Sequence, residues 1–201
     1  ESGVTMDKKL RDLLQPIQHV FLLVGGNLIP NAVMAKLFAC CEQKPTVHLV
    51  TIPPAELERC LRSWLKELKY ECKDIKSVEY STDRSFEDFF TVLKAHVSDN
   101  AKDGDIHLHY TCSKQCVAIH TIRVLERLRK EEEQNQKTEG CAEQSCNAPP
   151  RRLFSFSYLD AVSDKLVWES YDEQTNSLKS RSYPVDPNLS PTDLLELSAQ
   201  L

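Results

Sequence analysis

The chain has 201 residues, of which 41% are hydrophobic and 27% are charged, and this balance is typical of one globular domain or of one domain with an appendage. Its net charge of −5 argues against non-specific binding of nucleic acid, which needs a basic surface, but it permits a local phosphate site made of backbone donors. No apolar run approaches the roughly 20 residues of a membrane span, so we expect no membrane segment and no membrane partner.

The first two thirds of the chain alternate short apolar runs with amphipathic segments, which predicts strands and helices in turn. A short helix is predicted over 5–15. Strands are predicted over 17–24, 46–50, 75–80 and 105–110. Helices are predicted over 30–42, over 54–69, after an N-cap at Asp83, and over 113–131. Strands and helices that alternate at this spacing predict an α/β fold with a mostly parallel sheet flanked by helices.

The pattern changes near residue 131. Residues 131–150 are rich in Glu, Gln and Lys and end in Pro149-Pro150, which predicts a flexible loop. A fifth strand, an antiparallel β-hairpin and a short helix are predicted after it, over 153–159, 165–180 and from 190 onward. We therefore expect a single domain over 1–201, with its core at 15–160 and the hairpin and final helix at 161–201.

Two strand-to-helix turns carry most of the functional information. The first is Gly25-Gly26-Asn27-Leu28, and the second is Thr111-Cys112-Ser113-Lys114-Gln115. Both place backbone N–H groups and small polar side chains at the start of a helix, where unpaired donors and positive partial charge suit a phosphate group. Because ligands of open α/β sheets lie at the carboxyl ends of the strands, the two turns predict one ligand-binding face.

The two turns resemble those of a CRISPR-associated Rossmann-fold (CARF) domain, and most closely the subgroup fused to a restriction-type nuclease. The similar segments are Gly25 to Pro30, Tyr110 to Gln115 with His120 and Arg123 further along the helix, Ser157 to Asp160, and Leu189 to Leu195. The resemblance covers most of the chain.

The resemblance implies a Rossmann-like fold and an intracellular, cytoplasmic homodimer, with a nuclear location left open. Two copies of each loop would hold a cyclic oligoadenylate and switch on a linked effector, as in antiviral defence. By position, Gly25 to Leu28 match the first loop of the family and Thr111 to Gln115 match the second. The family has glycines where this chain has Cys112 and Ser113, and its lysine is replaced by Gln115, with Lys114 one position earlier.

Three functions stay open. The first is a sensor domain that binds a cyclic oligonucleotide. The second is a structural dimerisation module without a nucleotide ligand, which the loss of two loop glycines favours. The third is an enzyme that cleaves its cyclic ligand, with Thr111 or Ser113 holding a 2′-hydroxyl in line with its phosphate. The chain begins at Glu1 without Met, so we expect a fragment whose effector lies outside it.

Neither a metal nor a cofactor is expected. Cys112, Cys116 and His120 share a helix face at the spacing of metal ligands, but a buried helix face explains that spacing better, since no second ligand pair is evident. The dinucleotide fingerprint G-x-G-x-x-G is not present in order, which argues against a nicotinamide cofactor.

Other polar side chains have structural explanations. His107 and His109 share one strand face and are expected to pack and hydrogen-bond under a helix rather than to catalyse. The basic residues of the last helix before residue 131, Arg129 among them, are expected on a solvated face. The adjacent Cys40 and Cys41 do not resemble a disulfide framework and are expected as reduced thiols.

Overall fold

The computed structural model describes residues 6–53, 55–111, 114–139, 152–160, 162–163, 165–172 and 175–185, with the backbone alone over 136–139. The elements within these ranges are α1 (Lys8–Leu14), β1 (Ile17–Leu23), α2 (Ile29–Ala39), β2 (Thr46–Thr51), α3 (Glu56–Glu67), a 3₁₀ helix (Cys72–Asp74), β3 (Ile75–Glu79), α4 (Phe86–Asn100), β4 (Asp105–His109), α5 (Gln115–Glu139), β5 (Phe154–Asp160), β6 (Lys165–Tyr171) and β7 (Leu178–Pro184).

The seven strands form one sheet in the order β3-β2-β1-β4-β5-β6-β7. The first five strands of this order pair in parallel, whereas β6 and β7 add an antiparallel hairpin next to β5. The predicted fold class, a Rossmann-like and mostly parallel sheet flanked by helices with an antiparallel C-terminal hairpin, is confirmed. The final helix predicted from residue 190 lies outside the described residues.

The sheet is covered on both faces, and the side chains of β1 show how. Val20 and Leu22 belong to the hydrophobic core under α1, α2 and α3, and Phe21 and Leu23 belong to the core under α4 and α5. All four side chains are almost fully buried. This burial on both faces is typical of a central parallel strand and explains why the sequence of β1 is a continuous apolar run.

The prediction of a flexible loop over 131–150 is wrong for residues 131–139, which form the last part of α5. The three glutamates that begin this stretch are paired: Glu131 with Lys94 at 2.6 Å, Glu132 with Arg152 at 3.3 Å and Glu133 with Arg129 at 2.6 Å. Because cations neutralise the acidic run and Glu and Lys favour helix, the helix continues through it. Residues 140–150 lie outside the described part of the chain.

The sequence predicted Asp83 as the N-cap of α4, but this prediction is wrong, because the N-cap is Ser85. The Ser85 hydroxyl accepts a hydrogen bond from the N–H of Asp88 at 3.2 Å, and the Asp88 carboxylate accepts one from the N–H of Ser85 at 3.1 Å. This reciprocal pair is a capping box, in which a side chain three residues into the helix completes the cap. Asp83 has no such partner three residues later, since that position is Phe86.

No helix within the described ranges combines the length and apolar character needed to cross a membrane. Cys40, Cys41, Cys60, Cys72 and Cys116 form no disulfide within the described ranges, in agreement with the prediction of reduced thiols. The other three cysteines lie outside the described residues.

Candidate ligand-binding site at the switch point of the sheet

The two predicted loops leave the sheet from neighbouring strands. Strands β1 and β4 pair in parallel, with Leu22 beside His109, so their carboxyl ends meet at one edge. From this edge α2 leads to β2 on one side and α5 leads to β5 on the other, so the direction of winding reverses between them. Such a topological switch point opens a crevice at the carboxyl ends of the strands, which is where open α/β sheets bind ligands.

The first loop exposes two residues and buries two. Gly26 and Asn27 are exposed, whereas Gly25 and Leu28 are buried. A Cβ on Gly26 would meet no described atom within 4 Å. The described part of the chain therefore leaves open space at Gly26, where a ligand can approach the backbone closely.

The start of α2 offers fewer backbone donors than the sequence predicted. The Asn27 side chain already accepts a hydrogen bond from the N–H of Ile29 at 3.0 Å, and the next position is Pro30, which has no N–H. Two of the first three positions of α2 therefore give no unpaired amide to a phosphate group. The macrodipole of the helix still favours negative charge at this end.

Two buried polar atoms at this edge have no hydrogen-bond partner among the described residues: Oδ1 of Asn31 and Nε2 of His109. Asn31 lies in the first turn of α2, and its Nδ2 donates to the carbonyl of Leu23, the last residue of β1, at 2.8 Å. His109 ends β4. An unpaired buried polar group costs about 1–3 kcal/mol, so these two atoms lower the stability of the fold at this edge.

His107 and His109 pack and hydrogen-bond inside the sheet, as predicted. The hydroxyl of Ser157 lies 2.7 Å from Nε2 of His107 and 3.0 Å from Nδ1 of His109, and the His107 ring stacks on Trp168 with the ring centres 4.0 Å apart. Burial lowers the pKa of His109 to about 3 and holds the pKa of His107 well below its usual range. Both imidazoles are therefore neutral at pH 7 and offer hydrogen bonds rather than charge.

The second loop is fastened to β5 by Thr111. Its half-buried Oγ1 accepts a hydrogen bond from the N–H of Leu159 at 2.7 Å, and the hydroxyl hydrogen remains able to donate. Lys114 and Gln115 are exposed at the start of α5. Of the nine predicted site residues, these three and the four of the first loop lie along one edge, whereas Cys112 and Ser113 lie outside the described residues.

Asn31 is not among the residues that the sequence predicts. The feature that could have identified Asn31 is an amide side chain in the first turn of a helix. The residues that follow it, Ala32 to Ala35, are all apolar and buried. Such a position requires a hydrogen-bond partner, because a buried amide is costly without one. The partner is the last carbonyl of β1, so Asn31 fixes the geometry of the first loop.

The face of α5 that carries Cys116 and His120, considered above as a metal site, takes part in packing. Nδ1 of His120 lies 2.9 Å from the hydroxyl of Tyr80, and the His120 ring meets Phe86 edge to face. Cys116 is exposed, which is contrary to the buried helix face predicted for it. In the described part of the chain, no three His, Cys, Asp or Glu side chains are grouped so as to hold a metal ion.

The fold and this edge define the chain as a Rossmann-like α/β protein with a candidate ligand site at its switch point. No protein-family model matches the chain, and no curated protein shows significant similarity to it.

Proposed function

We propose that the protein is a ligand-sensing and dimerisation domain of the CARF type, which binds a cyclic oligonucleotide of the oligoadenylate kind and regulates a linked effector. One observation carries this proposal: the strand order puts the turns after β1 and β4 side by side at the switch point of the sheet. The same two turns carry the motifs that resemble the family, in the residues Gly25 to Leu28 and Thr111 to Gln115.

The side chains at this edge fit the chemistry of a nucleotide ligand. Lys114 gives a positive charge at the start of α5, where the helix macrodipole also attracts phosphate. Asn27, Thr111 and Gln115 are neutral donors and acceptors suited to base edges and ribose hydroxyls. Because the start of α2 has few free amides, the affinity for phosphate depends mainly on Lys114 and the start of α5.

Exposed apolar side chains beside the loops support a dimer. Ile29 is the first residue of α2 and is 37% exposed, and Ile119 lies in the second turn of α5 and is 46% exposed. In a two-fold dimer with these edges facing each other, both isoleucines would be buried around a shared ligand.

Light scattering tests the dimer. We expect Ile119→Glu to convert the dimer into a monomer, because the substitution places a charge in the apolar part of the interface. The matched control is Val162→Glu, at a side chain that is 96% exposed between β5 and β6, and this variant should stay dimeric. A monomeric wild-type chain would contradict the proposal.

Calorimetric titration with cyclic oligoadenylates of different ring size tests the ligand. Lys114→Glu should weaken binding at least tenfold without weakening the fold, because glutamate at a helix start interacts favourably with the macrodipole. The control is Lys130→Glu, the same charge change on the exposed side of α5 about 24 Å further along its axis. Unchanged affinity in Lys114→Glu would remove Lys114 from the site.

Two contacts favour a second candidate, a dimerisation domain without a nucleotide ligand. The hydroxyl of Thr111 is already an acceptor for Leu159, and the N–H of Ile29 is already paired with Asn27, so both loops are partly satisfied by the protein itself. A wild-type chain that is a stable dimer and gives no heat with any ring size would establish this candidate in place of the sensor.

A further inference from the structure

A cavity of about 190 Å³ lies at the opposite edge of the sheet, where the parallel strands begin. Ile17 begins β1, Asp105 begins β4 and Phe154 begins β5, and all three line this cavity. Its position separates it from the switch-point loops by the length of the strands. The cavity is therefore a separate place from the site of the proposed function.

The walls of the cavity are mainly apolar and partly aromatic. Phe154 and Trp168 are almost fully buried, and Leu13 and Ile17 close the side toward α1. One face of the Trp168 ring is already stacked on His107. A cavity of about 150 Å³ with apolar walls binds benzene, so this one has room for a planar molecule of one ring or a small fused ring system.

Arg129 supplies a polar group inside these walls. It is only 4% exposed and lines the cavity, which is contrary to the solvated face that the sequence predicted. Its Nη1 donates to Glu133 at 2.6 Å and to Asn176 at 2.8 Å, and its guanidinium carbon lies 3.8 Å from the centre of the Tyr171 ring. These contacts hold the guanidinium group in one orientation.

The Nε of Arg129 is buried and has no hydrogen-bond partner among the described residues. A guanidinium N–H without an acceptor is costly, because water cannot replace the missing bond in a buried position. An acceptor atom on a ligand would remove this cost. Arg129 lines the cavity, so its fixed guanidinium group lies beside walls that suit an aromatic ring.

The charges around the cavity disfavour an anion. Three carboxylates line it, those of Asp12, Asp105 and Asp172. Within the described residues only Asp172 among them is ion-paired, with Lys179. The two guanidinium groups that line it are ion-paired with Glu132 and Glu133. An anionic ligand would therefore meet an excess of negative charge. A neutral ligand with an acceptor atom fits both the walls and the donor.

We infer that this cavity binds a neutral, planar heteroaromatic molecule of nucleobase size. Its ring packs against Trp168 and Phe154, and a ring nitrogen or carbonyl oxygen accepts a hydrogen bond from Nε of Arg129. The recognition is thus one directed hydrogen bond within an apolar slot, a combination that is typical of small-molecule sites.

Nuclear magnetic resonance of the ¹⁵N-labelled chain tests the inference, with adenine and uracil as neutral probes and benzoate as an anionic probe of similar size. A neutral probe should shift the signals of the Arg129 Nε–H and the Trp168 indole in a saturable way, and benzoate should not. Absence of saturable shifts with both neutral probes, or equal shifts with benzoate, would overturn the inference.

Three variants locate the site. Leu13→Trp should fill the cavity and weaken binding of the neutral probe at least tenfold, whereas Leu57→Trp changes another half-buried leucine on the same core, on α3, and should bind like the wild type. Arg129→Lys keeps the positive charge beside Glu133 but removes the Nε donor, and we expect binding to weaken at least fivefold.

Melting curves show whether each variant folds. If Leu13→Trp does not fold, Arg129→Lys carries the test. Wild-type affinity in Arg129→Lys, or in a folded Leu13→Trp variant, would contradict the inference.

Discussion

Nδ1 of His48 lies 2.9 Å from Nε2 of His96, and Nε2 of His48 lies 3.1 Å from Nδ1 of His19. The far end of this chain is fixed, because Nε2 of His19 lies 2.8 Å from the carbonyl oxygen of Asp103 and must donate to it. Burial lowers the pKa of His19 and of His48, so both rings are neutral at pH 7. Nδ1 of a neutral His19 is then an acceptor, so His48 donates to His19 and His96 donates to His48.

We predict that the protein loses stability in mild acid. Burial is the main cause that lowers the pKa of His19, His48, His96, His107 and His109, to about 2 for His48. Each group has a lower pKa in the folded chain than in the unfolded chain, so below about pH 6.5 the unfolded state binds more protons. The free energy of unfolding should fall below pH 6.5 by about 1.4 kcal/mol per pH unit for each histidine that stays neutral. Urea unfolding at pH 7.5, 6.0 and 5.0 measures this slope.

The variant His48→Gln isolates one contribution. The glutamine amide can donate and accept as the imidazole does, but it does not titrate. Between pH 6.5 and 5, the slope of the unfolding free energy against pH should then be smaller than in the wild type. The difference should be the contribution of one titrating group, about 1.4 kcal/mol per pH unit. A slope equal to that of the wild type would show that His48 does not contribute to the acid sensitivity.

Two glycine variants should behave in opposite ways. Gly104 has φ of +96°, and a Cβ there would lie 2.8 Å from the Gln18 side chain, so Gly104→Ala should destabilise the fold by about 1–3 kcal/mol. Gly26 has open space and no left-handed φ, so Gly26→Ala should leave the melting temperature unchanged or slightly raised. Thermal melts compare the two, and equal destabilisation by both would contradict the explanation.

The strands and the switch-point loops could be predicted because their signals are local. β1 is an apolar run that ends at Gly25-Gly26, and β4 follows the turn at Asp103-Gly104. The order of the strands has no local signal, since the pairing of β1 with β4 joins residues far apart in the chain. The chain of His19, His48 and His96 was not predictable for the same reason, because it joins three separate elements.

Arg129 shows how a charged residue misleads sequence reasoning. Its neighbours Arg127 and Lys130 are exposed, as the charge pattern predicted, but Arg129 follows Leu125 by four residues and so continues the buried stripe of α5. Its ion pair with Glu133, one turn further, permits this burial. The apolar periodicity of α5 places Arg129 on the buried face, whereas the charge of its side chain led to the wrong prediction of a solvated face.

The cap of α4 gives a test in which two nearby residues are compared. Ser85→Ala removes the acceptor for the N–H of Asp88 and should destabilise the fold by about 1 kcal/mol. Asp83→Ala changes an exposed residue just before the cap and should have an effect within about 0.5 kcal/mol. Chemical unfolding measures both. A larger effect at Asp83 than at Ser85 would restore Asp83 as the main cap.

Thr111 links the second loop to the sheet, and its hydroxyl can be removed without changing the shape of the side chain. Thr111→Val leaves the N–H of Leu159 without its acceptor, so we expect a loss of about 1–3 kcal/mol in unfolding free energy. Hydrogen exchange at the Leu159 amide should become faster by a larger factor than at the amides of β1, if the loop separates from β5 before the whole chain unfolds. Thr111→Ser keeps the hydroxyl and is the matched control, with exchange at Leu159 close to that of the wild type. If Thr111→Val exchanges at Leu159 as slowly as the wild type does, the hydroxyl of Thr111 does not hold the second loop against β5.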